Sequence, residues 1–138
     1  MGTYITRSDI EVEFGVNNVA IWSNLDNDDA QVNDDRVDAS IAYAEQQVDD
    51  LFRDGRYAIP LRGTAGDLNQ VKRWAAVLAG HWLVNRRAVY MKLDQNELTG
   101  IEQMREDVFD DIARYTSGQA KLAAELVNSQ PDTPQVVG

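Results

Sequence analysis

The 138-residue chain has no cysteine and a single histidine, His81. The first absence removes a disulfide framework, a thiolate zinc site and a cysteine nucleophile. The second excludes multi-histidine metal sites, and any Ser-His-Asp chemistry would have to pass through His81. No apolar run reaches the roughly 20 residues needed to span a bilayer. Met1–Ile10 lacks a basic region followed by an apolar core, so neither a membrane partner nor a signal peptide is expected. There is no internal repeat and no low-complexity tract. What remains is ordinary globular material, with 43% apolar and 26% charged residues, in a length that suits one compact domain.

Charge is unevenly placed. Residues 1–54 hold 13 acids against 3 bases, net −10; residues 55–92 hold 7 bases against Asp67 alone, net +6; residues 93–138 hold 9 acids against 3 bases, net −6. The overall balance of −10 argues against a protein that coats DNA by neutralising phosphates. A negative and a positive surface on one small domain suit head-to-tail association with copies of itself. The plainer alternative is a set of solvated charges clustered by chance.

The apolar spacing predicts helices. Ser8 and Glu11 form a capping-box pattern and Gly15 a stop, which places a short helix over 8–14. Asn17 or Asn18 would cap a second short turn carrying Val19, Ile21 and Trp22. An acidic polar loop follows, containing Asp26, Asp28 and Asp29. A long helix starts at Asn33 or Asp34, with Val37, Ile41, Ala44, Val48 and Leu51 at helical spacing, and Gly55 ends it. Pro60 and the preceding Ile59 resist helix, so 56–62 reads as an extended connector. Asp67 would cap a second long helix, running to about Met91. It carries two adjacent apolar stripes: Leu68, Val71, Ala75, Leu78 and Trp82, then Trp74, Val77, His81 and Val84. Two stripes mark a helix buried on much of its circumference, hence the central one. A third long helix starts near Thr99, with Ile101, Met104, Val108, Ile112 and Tyr115 in phase, and ends or kinks at Gly118. Residues 121–127 suit a further turn or two. From Asn128 the chain has no helical period. The expected fold is all-α: a small bundle of three long helices plus short N-terminal helices, over residues 1–127, with an extended tail at 128–138. The expected core comprises Phe14, Ile41, Val48, Leu51, Val71, Leu78, Trp82, Val108 and Ile112.

Site chemistry is sparse. Counted from Asp26, an EF-hand loop would need ligands and a turn glycine where Ala30, Gln31 and Val37 stand, so no calcium site is expected. Gly63-Thr-Ala-Gly66 is too short for a phosphate loop and lacks its Lys-Ser/Thr. His81 has no Ser, Asp or Glu three or four residues away, which reads as a core or interface imidazole. No cofactor and no catalytic residue is expected, and the pattern points away from an enzyme.

Four segments stand in a telling order: Thr3-Tyr-Ile-Thr-Arg-Ser-Asp-Ile-Glu-Val-Glu-Phe-Gly15, the helix around Ala39–Leu51, Gly55-Arg-Tyr-Ala-Ile-Pro-Leu61 and Asp110-Asp-Ile-Ala-Arg-Tyr115. In that order they resemble the Mu-like Gp36 family of tailed-phage proteins. The resemblance covers roughly residues 3–120. Two segments depart from the family pattern: His81-Trp-Leu-Val84 in the central helix, and Gly118-Gln-Ala-Lys-Leu122, only a loose match to a Gly-Lys segment. The resemblance implies a helical head–tail connector, or adaptor. Such a protein forms a ring, commonly dodecameric, beneath the portal protein, extends the DNA channel and docks the next neck or tail protein. It implies location in the virion neck, reached from the host cytoplasm during assembly. DNA would pass through the lumen without sequence-specific binding.

A ring needs two different surfaces that meet on neighbouring copies. The expected basic surface comprises Arg56, Arg62, Arg86 and Arg87. The expected acidic surface, between subunits or facing the lumen, comprises Asp26, Asp28, Asp29, Asp34, Asp35 and Asp38. In the tail, Pro131, Pro134, Val136 and Val137 are expected to dock on the portal or a neighbour. The competing function is a monomeric acidic interaction domain, a DNA mimic or regulatory binder.

Overall fold

A computed structural model describes residues 4–24, 31–53, 57, 59, 61, 68–90 and 95–117; for 87–90 and 95–98 it describes the backbone. Five helices account for most of these: α1 (Arg7–Phe14), α2 (Val16–Ser23), α3 (Asp34–Phe52), α4 (Asn69–Tyr90) and α5 (Gln95–Thr116). No β-strand occurs among the described residues. The fold is all-α, with three long helices and two short N-terminal ones as the spacing predicts. The boundary between bundle and tail at 127 and 128 lies outside the described residues, as do the predicted Asp67 cap and the turns at 121–127.

The two short helices share one glycine. Gly15 stands at φ 95°, a left-handed conformation that costs glycine little. Its N–H closes α1 by donating to the Glu11 carbonyl at 2.7 Å, and its carbonyl opens α2 by accepting from the Val19 N–H at 3.2 Å. α1 starts earlier than the Ser8–Glu11 pattern suggests. Thr6 is the N-cap, and the Asp9 carboxylate accepts the Thr6 N–H at 2.8 Å. A cap is chosen by where the preceding backbone turns extended, and Thr6 has that conformation (φ −123°, ψ 174°). In α2, Val19, Ala20 and Trp22 turn inward, whereas Ile21 faces partly outward.

Side-chain hydrogen bonds tie the end of α2 to the start of α3. The Ser23 hydroxyl accepts the Asn33 N–H at 2.9 Å and donates to the Ala20 carbonyl at 3.1 Å. Asn33 then caps α3 by accepting the Arg36 N–H at 3.2 Å, which satisfies one of the helix's orphan donors. Val37, Ser40, Ile41, Ala44, Val48 and Phe52 form its buried face. Here one expectation fails: Leu51 is 37% exposed and Phe52 is buried. The two flank the stripe on opposite sides, and the aromatic neighbours lie on the side of Phe52. Its ring stacks on Trp74 at 5.8 Å and meets Tyr57 edge-on at 5.5 Å.

α4 is the axis of the bundle. Every residue from Trp74 to Gly80 is buried, enclosed by α1, α2, α3 and α5. α3 runs antiparallel to it, since Phe52 meets Trp74 while Tyr43 lies 6.4 Å from Trp82. α5 is antiparallel too. Asp111 accepts from Gln70 at 3.1 Å and from the Trp74 indole at 3.4 Å, and Glu102 bonds His81 at 2.6 Å. α5 begins four residues before Thr99 and ends just short of Gly118; the exposed Gly100 does not interrupt it. Ile101, Val108 and Ile112 are buried, and Met104 and Tyr115 pack against the core. Of the other expected core residues, Ile41, Val48, Val71 and Leu78 are buried, while Phe14 and Trp82 are partly buried against the core. In the connector, Tyr57, Ile59 and Leu61 all turn toward the core, the period-2 spacing of extended chain.

Two substitutions check this packing. Leu78→Ala should cost about 2–5 kcal/mol in urea unfolding, because the side chain is enclosed and its removal leaves a cavity. Gly80→Ala should also destabilise, by about 1–3 kcal/mol, although alanine is the better helix former. A Cβ at Gly80 would collide with the Phe14 ring, which is itself held edge-on to Trp22 at 5.3 Å.

Candidate functional site

Among the described residues, a polar cluster forms where Tyr4 and Ile5 meet α3. α3 presents Glu45 and Asp49, one turn apart and therefore on one face. Glu45 Oε2 accepts the N–H groups of Tyr4 at 2.6 Å and Ile5 at 3.0 Å. The Tyr4 hydroxyl donates to Asp49 Oδ1 at 2.5 Å and accepts the Leu61 N–H at 2.7 Å. Burial is the main cause that raises the Asp49 carboxyl above its ordinary value, and burial likewise raises the Tyr4 phenol. Tyr4 and Leu61 are buried, and Glu45 Oε2, Asp49 Oδ1 and the Tyr4 hydroxyl bond the chain's own groups. The cluster is a clasp that ties three segments together. The spacing of Glu45 and Asp49 was the available clue, but their partners are 40 to 45 residues away.

The predicted charged surfaces are only partly described. Asp26, Asp28, Asp29, Arg56, Arg62, Pro131, Pro134, Val136 and Val137 lie outside the described residues, and Arg87 is described as α4 backbone. Asp34 and Asp35 occupy the first turn of α3, where carboxylates complement the helix dipole. Arg7 bridges Asp34 at 3.0 Å and Glu11 at 3.3 Å. Arg7, Glu11 and Asp34, with Asp38, line an open groove of about 460 Å³ between the starts of α1 and α3. Because α3 and α4 are antiparallel, Arg86 near the end of α4 lies toward that same end of the bundle. Its guanidinium sits 4.2 Å from the Trp82 ring centroid. The acidic helix start and the basic helix end thus lie at one end of the bundle.

A second groove, of about 420 Å³, lies between α1–α2 and the start of α5, with Phe14, Trp22, Ile101 and Met104 among its lining residues. On the nearby corner between α1 and α2, Val12 is 79% and Val16 63% exposed. His81 does have a carboxylate partner, Glu102, supplied by a different helix. Among the described residues no group of three or more His, Asp or Glu is placed to hold a metal ion, and no helix is long and apolar enough to cross a membrane.

Compared with known families, the chain matches the model described as Bacteriophage Mu, Gp36, over residues 4–137. The chain belongs to that family. It is a phage protein, and the match extends through nearly the whole sequence, including the Tyr4 clasp and all five helices. No curated protein matches it at a significant level.

The clasp predicts a pH response. A carboxyl whose folded value is raised keeps its proton in the native state after the unfolded chain has lost it. Stability therefore falls as pH rises from the ordinary value of 3.8 through Asp49's raised value. Asp49→Asn retains an acceptor for Tyr4 and removes this titration. Urea midpoints of the two proteins, measured across that range, should diverge in favour of the variant as pH rises. A constant difference would show that Asp49 carries no such cost.

Proposed function

We propose that this chain is the head–tail connector of a tailed phage. Copies form a ring beneath the portal, extend the DNA channel and offer a platform to the next neck or tail protein. The observation that carries this reading is family membership across residues 4–137. The fold supports it: a rigid helical bundle whose axis helix is sealed leaves its function to the outer surfaces. The role is structural, with no catalytic step and no cofactor. Within the ring, surfaces of opposite charge would attract neighbouring copies, while a channel lined by acids would repel the duplex and let it pass. The segment 128–138, with Val136 and Val137 near its end, would dock on the portal or an adjacent copy and strengthen attachment.

Electron microscopy of the purified chain mixed with portal-bearing heads should show a ring of copies at the portal vertex. Deleting residues 128–138 should leave the melting temperature of the isolated protein nearly unchanged while reducing attachment to heads. Equal attachment of the shortened protein would remove the docking role from the tail. Heads that bind no copies of the full chain would overturn the connector reading itself.

A further inference from the structure

One surface feature has the composition of an interface anchor. Tyr43 of α3, 40% exposed, lies 6.4 Å from the half-buried Trp82 of α4. The exposed Arg86, one turn further on, stacks on the same indole at 4.2 Å. Tyrosine, tryptophan and arginine are the side chains most enriched among residues that dominate binding energy. Here the indole holds the guanidinium in place, so little freedom is lost when a carboxylate meets it.

The partner chemistry follows from charge. A guanidinium backed by aromatic rings suits carboxylates, and a chain of net charge −10 has them in abundance. Two acidic surfaces are available on a second copy. One is the start of α3, with Asp35 and Asp38. It lies at the same end as Arg86, and there Arg7 already bridges Asp34 at 3.0 Å. The other is the outer face of α5, where Glu106, Asp107 and Asp110 are exposed. That face lies further along the bundle, because α5 runs antiparallel to α4 and Glu102 already stands opposite His81. A contact there joins two different surfaces, as a ring requires.

We propose that Tyr43, Trp82 and Arg86 of one copy dock on the acidic outer face of α5 of the next. This inference rests on the ring reading above. Arg86→Glu should weaken self-association about tenfold or more, read by mass photometry of the full chain and by ring occupancy on heads. Arg86→Lys, which keeps the charge and loses the planar stack, should weaken it less. Circular dichroism melts of both variants should match the parent, since Arg86 is exposed. Combining Arg86→Glu with Glu106→Arg and Asp110→Arg should restore assembly. Restoration by Asp35→Arg and Asp38→Arg instead would place the contact at the start of α3 and overturn the proposal. Rings that form undiminished with Arg86→Glu would overturn this interface and leave the connector reading standing. The interface is equally overturned if that variant forms rings in solution but no longer joins heads, which would make the patch a portal contact. A parent chain that never assembles, alone or on heads, would overturn both.

Discussion

A helix that is apolar around its whole circumference cannot rest on one neighbour. α4 is buried over seven consecutive residues, Trp74–Gly80, and the rest of the fold follows from the need to enclose it. α3 and α5 cover it as antiparallel partners. Two further sides remain, and neither long helix can reach them. The short helices α1 and α2, folded at Gly15, fill that space, and Phe14 reaches the backbone of α4 because Gly80 has no side chain. Small residues at Ala75, Ala76 and Ala79 keep the axis thin enough for several helices to approach at once.

Apolar burial is non-directional, so it does not by itself fix how the helices slide or rotate. Register comes from the few polar bonds placed along the axis. Asp111 holds one end of α5 to Gln70 and Trp74, and Glu102 holds the other to His81. Ser23 and Asn33 set the distance between α2 and α3. Each tie joins residues separated in sequence, and each has geometry that a one-turn slip would break.

The helices were legible because their apolar residues recur with the period of one face, and the two stripes on 68–84 identified the axis directly. Local chemistry was less legible where two signals competed. Ser8–Glu11 and Thr6–Asp9 both satisfy a capping pattern, and only the backbone entering the helix decides between them. Leu51 and Phe52 are equally placed about the α3 stripe, and the position of Trp74 decides. The charge blocks were visible along the chain, yet their arrangement depended on helix direction. Antiparallel packing brings Asp34 and Asp35 to the end that holds Arg86, a proximity that counting charges in sequence order does not reveal. The Tyr4 clasp was the least legible feature, because its bonds span 40 to 57 residues.

That span bears on the order in which the protein forms. Tyr4 leaves the ribosome ahead of Glu45 and Asp49, which its N–H and hydroxyl bond, and ahead of Leu61, whose N–H its hydroxyl accepts. Closing so long a loop costs chain entropy before any bond repays it. The N-terminal segment is therefore among the last pieces to lock, after α3 has formed and the connector has turned back along it. A nascent chain cannot complete the clasp early and trap α1 and α2 in a wrong place. A residue made before its partners acts as the latch on a nearly finished bundle.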